Sequence, residues 1–435
     1  MIPTLSARGA TPEEMARRID RRRPPLPLAR RVALRIVEAV RRGGDRAVLD
    51  WQERLGGVRP RALRIGRAVM RRGLRDADPR WVRSLRLAYS QILRFHRFQG
   101  QRPFELKLFK DGSRAGQRIY PLDRVGLYVP AGPRGYPSTV LMGAAPAHLA
   151  GVRELVVATP PEATSGLPPV NVLAAAAIAG VSEIVVAGGA QAIAALAYGS
   201  ESVRPVDRIV GPGNAYVTAA KLLCQAETAI DGVAGPSEVV ILADDQYPAD
   251  WIAGELIAQA EHADDAWGGA ILLEGRSASE VRSALRKRLR NHPRRDRVEA
   301  TLDNYGWLAT GLSRRDAIEL ANRLAPEHLS LGIRRARSAL QRIRSAGCVF
   351  VGPTTPVPMG DYGAGTNHIL PTLRFARARG ALGVRDFQRE VSFLELREAY
   401  IASRAAPAID LARSEGFLGH AEAIELRRSS SRRSR

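Results

Sequence analysis

Cysteine is almost absent from this 435-residue chain. Cys224 and Cys348 are too few for a disulfide framework, and neither stands at a metal-type spacing from another cysteine. Both lie in apolar surroundings and read as core fillers rather than nucleophiles. Long hydrophobic runs are also missing. The most apolar stretch, Val170 to Tyr198, is rich in Ala and Gly and broken by Ser182 and Glu183, whereas a membrane span needs about 20 uninterrupted apolar residues. The N-terminus lacks the basic, apolar and small-residue succession of a secretory signal, so a soluble cytoplasmic enzyme is expected. Lysine is scarce: Lys107, Lys110, Lys221 and Lys287 are the only four among 66 basic residues. The formal net charge of +22 raises nucleic-acid binding as a rival reading, because basic side chains neutralise phosphates. The arginines are spread along the chain rather than gathered in a stripe, which argues against it. Local clusters stand at Arg17 to Arg23, Arg286 to Arg297 and Arg427 to Arg435, and the last reads as a disordered low-complexity tail.

A chain of this length exceeds what one core usually holds, so two or more domains are expected. Residues 1 to 110 read as mostly helical. Apolar positions recur at helical spacing from Arg30 to Arg42, before a Gly43-Gly44 stop, and again from Trp81 to Phe98. From Arg124 onward, short β-branched runs alternate with Ala-rich helical stretches. Strands are expected at Glu154–Thr159, Glu183–Ala187, Arg208–Val210, Glu238–Ala243, Ala270–Leu273, Gly306–Thr310 and Cys348–Val351, with helices between them. That alternation predicts parallel βαβ units around buried sheets, in two α/β modules meeting near residues 234–237. After Pro371 the pattern turns helical with no strand signal.

Histidine is used sparingly, and four of the seven stand within a few residues of a carboxylate: Glu261 with His262, Glu327 with His328, Asp361 with His368, and Glu415 with His420. Imidazole beside carboxylate is the material of zinc sites and of proton-transfer sites. Any single pair has a bland counterpart, such as a helix cap or a loop residue satisfied by backbone. Gln259 and His262 are three apart near a helix end and so share a face. With Asp361 they could form a mixed oxygen and nitrogen site suited to Zn2+, and His420 could be a fourth ligand. Glu327 and His328 could move protons in more than one step, or could be a helix-to-strand connection with no role. Gly188-Gly189-Ala190-Gln191 and Gly211-Pro212-Gly213-Asn214 each join a strand to a helix. Their amides could attract phosphate, but neither is the dinucleotide fingerprint, and taken alone each is better read as an ordinary tight turn.

Eight blocks together carry a resemblance. Arg124-Val-Gly-Leu-Tyr-Val-Pro130, Gly188-Gly-Ala-Gln-Ala-Ile-Ala194, Gly211-Pro-Gly-Asn-Ala-Tyr-Val217, Ala234-Gly-Pro-Ser-Glu238, Ala258-Gln-Ala-Glu-His262, Ala325-Pro-Glu-His-Leu329, Gly360-Asp-Tyr-Gly-Ala-Gly-Thr-Asn-His-Ile-Leu-Pro-Thr372 and Glu415-Gly-Phe-Leu-Gly-His420 resemble the histidinol dehydrogenase family, in its order and spacing, from about residue 30 to 427. The resemblance implies two Rossmann-like βαβ modules in an aldehyde-dehydrogenase-like arrangement, with helical terminal elements. It implies an N-terminal arm (1–29), a larger α/β domain (30–127 and 238–381), a smaller one (128–237), and a C-terminal helical element (382–435) exchanged in a homodimer.

The activity implied is oxidation of L-histidinol to L-histidine through the aldehyde, with Zn2+ and two NAD+. By the same resemblance Gln259, His262, Asp361 and His420 bind zinc. Ser237, His328, His368 and Glu415 meet substrate alongside those ligands, and Tyr128, Gln191 and Asn214 meet NAD+. Glu327 and His328 are the acid–base residues, and Glu415 and His420 come from the partner subunit. With no cysteine in any motif, a thiohemiacetal route is disfavoured. The chain departs from the family pattern at Pro358-Met359, at Arg374 to Gly380 and at Gly419. These departures bear on the substrate pocket, and the alternative is a related zinc- and NAD-dependent dehydrogenase of another polar alcohol.

Overall fold

The computed structural model describes residues 2–24, 29–107, 110–132, 135–233 and 235–433. Ala234 of the Ala234-Gly-Pro-Ser-Glu238 block lies outside them, as do residues 1 and 25–28 of the expected N-terminal arm and the last two residues of the basic tail. The chain divides into two compact units, residues 1–99 with 122–387, and 100–121 with 388–435.

The first unit is built on two six-stranded sheets. One runs in the order Thr4–Ser6, Gly306–Thr310, Trp267–Leu272, Glu238–Ala243, His328–Gly332, Cys348–Val351, all parallel. The other runs Arg64–Gly66, Glu183–Val186, Glu154–Thr159, Arg124–Tyr128, Arg208–Val210, Ala229–Ile230, parallel except for the first pairing. Central strands such as Glu238–Ala243 are buried at every position, as strands covered by helices on both faces must be. The βαβ alternation expected from the sequence is therefore present, with strands at or within a few residues of the expected places.

Helices Arg30–Arg54, Arg67–Asp76 and Pro79–His96 pack on the second sheet: Ile36 and Val40 share a core with Val185 and Ile193, and Met70 and Ile92 share one with Leu127 and Val140. The expected stop at Gly43-Gly44 is a kink rather than an end. Gly44 takes φ +49°, and the Glu201 carboxylate accepts from Asp45 N–H at 2.7 Å to start the next helical segment. Among the described residues no helix is long and apolar enough to cross a membrane.

The second unit holds an antiparallel sheet, ordered Gln388–Glu395, Arg114–Pro121, Phe104–Lys107, and the helices Glu398–Ser414 and Leu418–Arg433. Two expectations are corrected here. The segment after Pro371 does contain a strand, Gln388–Glu395, paired over eight residues with Arg114–Pro121. It carries few apolar residues and is mostly exposed, so the backbone ladder defines it and no hydrophobic alternation announces it. The Arg/Ser-rich segment read as disordered continues in helix as far as Arg433, for which arginine's good helix propensity is a sufficient reason. The N-terminal 110 residues likewise contribute three short strands, each at a sheet edge.

Candidate active site

A cleft of about 560 Å3 opens in the first unit. Seven of the expected site residues line it: Asn214, Ser237, His262, Glu327, His328, Asp361 and His368. Tyr128, Gln191 and Gln259 are buried and are not among its lining residues. Glu415 and His420 belong to the second unit.

Glu327 and His328 stand where the chain enters the central strand His328–Gly332, beside Glu238–Ala243. Both are buried. Glu327 Oε2 accepts from Ser237 Oγ and from Glu238 N–H, each at 2.8 Å, and lies 3.4 Å from His328 Nδ1. The Nδ1–H donates to the Glu238 carbonyl at 2.9 Å. This bond leaves Nε2 as the basic nitrogen. Nε2 is buried with no hydrogen-bond partner among the described residues, and Asp361 Oδ1 lies 3.9 Å from it.

Burial alone would keep His328 neutral, but the Glu327 charge and hydrogen bond, with Asp361 and the Glu238 carbonyl, outweigh it and push its pKa up to about 9. Burial would likewise raise the Glu327 carboxyl, yet His328, Glu238 N–H and Ser237 hold it below its usual value. The pair rests as imidazolium and carboxylate.

The other three His–carboxylate neighbours of the sequence do not meet as such. His262 follows the helix Ala249–Ala260, and its Nδ1–H donates to the Ala258 carbonyl at 3.0 Å, while Glu261 pairs with His292 at 2.7 Å. His368 meets the main chain of Asp361, with Nδ1 3.2 Å from its carbonyl, and Nε2 lies 3.3 Å from Thr139 Oγ1. Burial holds His368 below its ordinary pKa, and the Asp361 charge only partly opposes this. His420 stacks on Phe417, the ring centres 5.0 Å apart. Each of these histidines is engaged by a partner other than its neighbouring carboxylate, a main-chain carbonyl or a ring.

Of the residues expected to hold a metal in this chain, His262 and Asp361 line the cleft. The His262 bond through Nδ1 leaves Nε2 free to ligate, as an orienting carbonyl commonly does for metal-binding histidine. Gln259 donates through Nε2 to Trp267 O at 3.4 Å, which leaves its oxygen. Asp361 lies in the last turn of the short helix Val357–Tyr362, whose first amide is taken by Glu255 at 3.1 Å. Among the described residues no three His, Cys, Asp or Glu side chains come close enough to hold a metal by themselves.

The two glycine turns are satisfied from within. Asn214 caps the helix Ala215–Cys224, accepting from Tyr216 and Val217 N–H at 3.1 Å each. Gly189 N–H donates to Tyr128 Oη at 2.9 Å and Gly188 N–H to Gln52 Oε1 at 3.1 Å. Burial raises the Tyr128 pKa despite the Gly189 bond, so the phenol stays protonated. Gln191 reaches the same Gln52 oxygen at 3.3 Å, and its own Oε1 is buried without a hydrogen-bond partner among the described residues.

Sequence reasoning missed several residues lining the cleft or buried beneath it. Lys221 and Asp231 form a buried pair under the Gly211 turn. Thr139, Tyr136 and Tyr362 line the wall near His368, and Arg30 and Arg379 bring cations to the cleft. Lys221 had a visible signal, being one of four lysines in an arginine-rich chain.

Two parallel-sheet modules with a buried glutamate–histidine pair on the cleft wall define a two-module α/β framework. The fold is shared with Escherichia coli lactaldehyde dehydrogenase, over 85% of this chain and 92% of that one, at TM-score 0.50 and 12% identity. A crystal structure of histidinol dehydrogenase from Elizabethkingia anophelis superposes over 99% of this chain and 98% of that one, at TM-score 0.90 and 28% identity. The histidinol dehydrogenase family model matches residues 25–428. The histidinol dehydrogenase of Methanopyrus kandleri is 44% identical over 405 residues, 91% of this chain and 93% of its own. That of Moorella thermoacetica is also 44% identical, over 90% of this chain and 92% of its own. The chain belongs to the histidinol dehydrogenase family, and so to the oxidoreductases.

Proposed function

We propose that this chain oxidises L-histidinol to L-histidine through L-histidinaldehyde, transferring two hydrides to two NAD+ and consuming one water, as a cytoplasmic zinc-dependent homodimer of histidine biosynthesis. The observation that carries the mechanism is the buried Glu327–His328 pair on the cleft wall, with His328 Nε2 unpartnered.

In this reading Gln259, His262 and Asp361 hold zinc with His420 from the partner subunit, and these side chains also frame the substrate. Their oxygen and imidazole donors fit Zn2+, and the carbonyl-oriented His262 supports the assignment. Bound zinc supplies charge stabilisation and orientation of the substrate's nitrogens. Bound NAD+ supplies the hydride acceptor, and Tyr128, Gln191 and Asn214 are the residues assigned to it. The unpartnered Gln191 Oε1 is a polar atom such a ligand would satisfy.

His328 takes the carbinol proton at Nε2 as the hydride leaves, its ring held by Nδ1–H on the Glu238 carbonyl. Glu327 has Oε2 occupied by Ser237 and Glu238, which leaves Oε1 to take a proton from the water that hydrates the aldehyde. Ser237, His368 and Glu415 complete the substrate contacts. The test is NADH formation from L-histidinol, with and without a chelator, beside a panel of other polar alcohols. Turnover of histidinol that the chelator removes supports the reading, and NADH formation only from another alcohol overturns it.

A further inference from the structure

We infer that Arg23, from the N-terminal segment, is a positioning residue for the acid–base pair and acts on it through Glu238. The inference rests on the assignment of Glu327 and His328 as the proton-moving residues.

Glu238 is the junction. It is 1% exposed and engages the pair with its side chain and both peptide groups. Its N–H donates to Glu327 Oε2 at 2.8 Å, its carbonyl accepts His328 Nδ1–H at 2.9 Å, and its Oε2 accepts Glu327 N–H at 3.3 Å. The carboxylate closes these bonds into a ring in which Glu238 and Glu327 each bind the other's amide.

A carboxylate buried this deeply needs a compensating charge, and Arg23 supplies it. The guanidinium pairs with Glu238 Oε1, donates to Leu324 O at 2.9 Å and to Asp20 Oδ1 at 3.0 Å, and lies over the Trp267 ring at 4.1 Å. Four partners fix its plane, and a planar fork is suited to that where an ammonium is not. Burial pushes the Glu238 carboxyl up to about 7 even with Arg23 beside it, so the ionised form depends on this cation.

The same carboxylate also anchors the segment that follows a second stretch of the cleft lining. Glu238 Oε1 accepts Leu373 N–H at 2.9 Å. Leu373 and Arg374 both adopt left-handed backbone, φ +53° and +65°, which non-glycine residues take only when their surroundings hold them there. They follow directly on Ile369, Leu370, Pro371 and Thr372, all of which line the cleft. Arg374 in turn pairs with Asp20, the carboxylate that Arg23 already uses. Loss of the Arg23 guanidinium therefore releases the acid–base pair and this segment together.

Arg22 is the matched control. It anchors the same segment through Gly306 O at 2.8 Å and Asn304 O at 2.9 Å and has no bond to Glu238. The experiment measures kcat, KM for histidinol, bound zinc and thermal midpoint for R23M, R23K, R22M and E238Q, normalised to folded enzyme. A misplaced catalytic group costs roughly tenfold to a hundredfold in rate. R23M and E238Q should lose that much in kcat with KM within about twofold, R23K should recover part of it, and zinc should be unchanged. R22M should lower the midpoint and keep kcat. If R22M loses as much kcat as R23M at an equal midpoint loss, or if R23K and R23M keep full kcat, the inference is overturned. If R23M does not fold, R23K against E238Q gives the same decision. E327Q and H328N separate the two levels: full activity in them defeats the assignment beneath, whereas their inactivity with unimpaired R23 variants defeats only the role of Arg23.

Discussion

Lys221 and Asp231 hold Gly211 through the two peptide groups that flank its Cα. Lys221 Nζ donates to the Gly211 carbonyl at 2.8 Å, and Asp231 Oδ2 accepts the Gly211 N–H at 2.8 Å, while the two charges pair with each other in a buried setting. Gly211 takes φ +113°, and a Cβ there would meet Tyr128 O at 2.2 Å. The turn that presents Asn214 to the cleft is thus fixed by a salt bridge and a close backbone approach.

Breaking that pair by removing one partner leaves a buried charge without its counterion. K221M should destabilise the protein by about 3 kcal/mol or more, read as a drop in denaturant midpoint at constant slope. It should also raise KM for NAD+ more than KM for histidinol, because the displaced turn carries Asn214. Equal effects on both constants would separate the turn from the dinucleotide.

His328 gives the pH dependence. Its pKa is raised to about 9, so in the free enzyme the ring is protonated at neutral pH and cannot accept the carbinol proton. Activity should therefore rise with pH through that range and level off above it. For stability the sign is opposite: a raised pKa contributes stability below the ordinary histidine value, about 6.5, and that contribution is lost as pH rises through about 9. Profiles of kcat/KM against pH, with H328Q lacking the rise, check the assignment.

Much of the architecture was legible because parallel strands buried on both faces, such as Glu238–Ala243 and Glu183–Val186, declare themselves as β-branched runs. Gln388–Glu395 was not, since its pairing is by backbone with a segment more than 250 residues earlier. Within the site, Glu327 and His328 were legible as neighbours that do pair. His262 and Asp361 were legible as types, and both reach the cleft. Arg23 and Glu238 meet across 215 residues, and nothing local in either segment announces that contact.

His262→Asn removes the nitrogen assigned to zinc and keeps the polarity of the position. Loss of bound zinc with a loss of activity of about a hundredfold or more is expected, measured by metal analysis of dialysed protein. Stoichiometric zinc in the variant would remove His262 from the ligand set.

Glu327 and His420 belong to separate compact units, and the proposal gives them to one site across a dimer. Two inactive variants, E327Q and H420N, should regain part of the activity when their subunits are exchanged, because one hybrid site would then carry both native residues. Verified exchange without recovery would place the site within one subunit.

The central claim is a four-electron oxidation of L-histidinol, and the direct measurement is the number of NADH formed per L-histidinol consumed to completion. Two NADH with L-histidine as the product are predicted. One NADH with accumulated aldehyde, or none, would contradict the account.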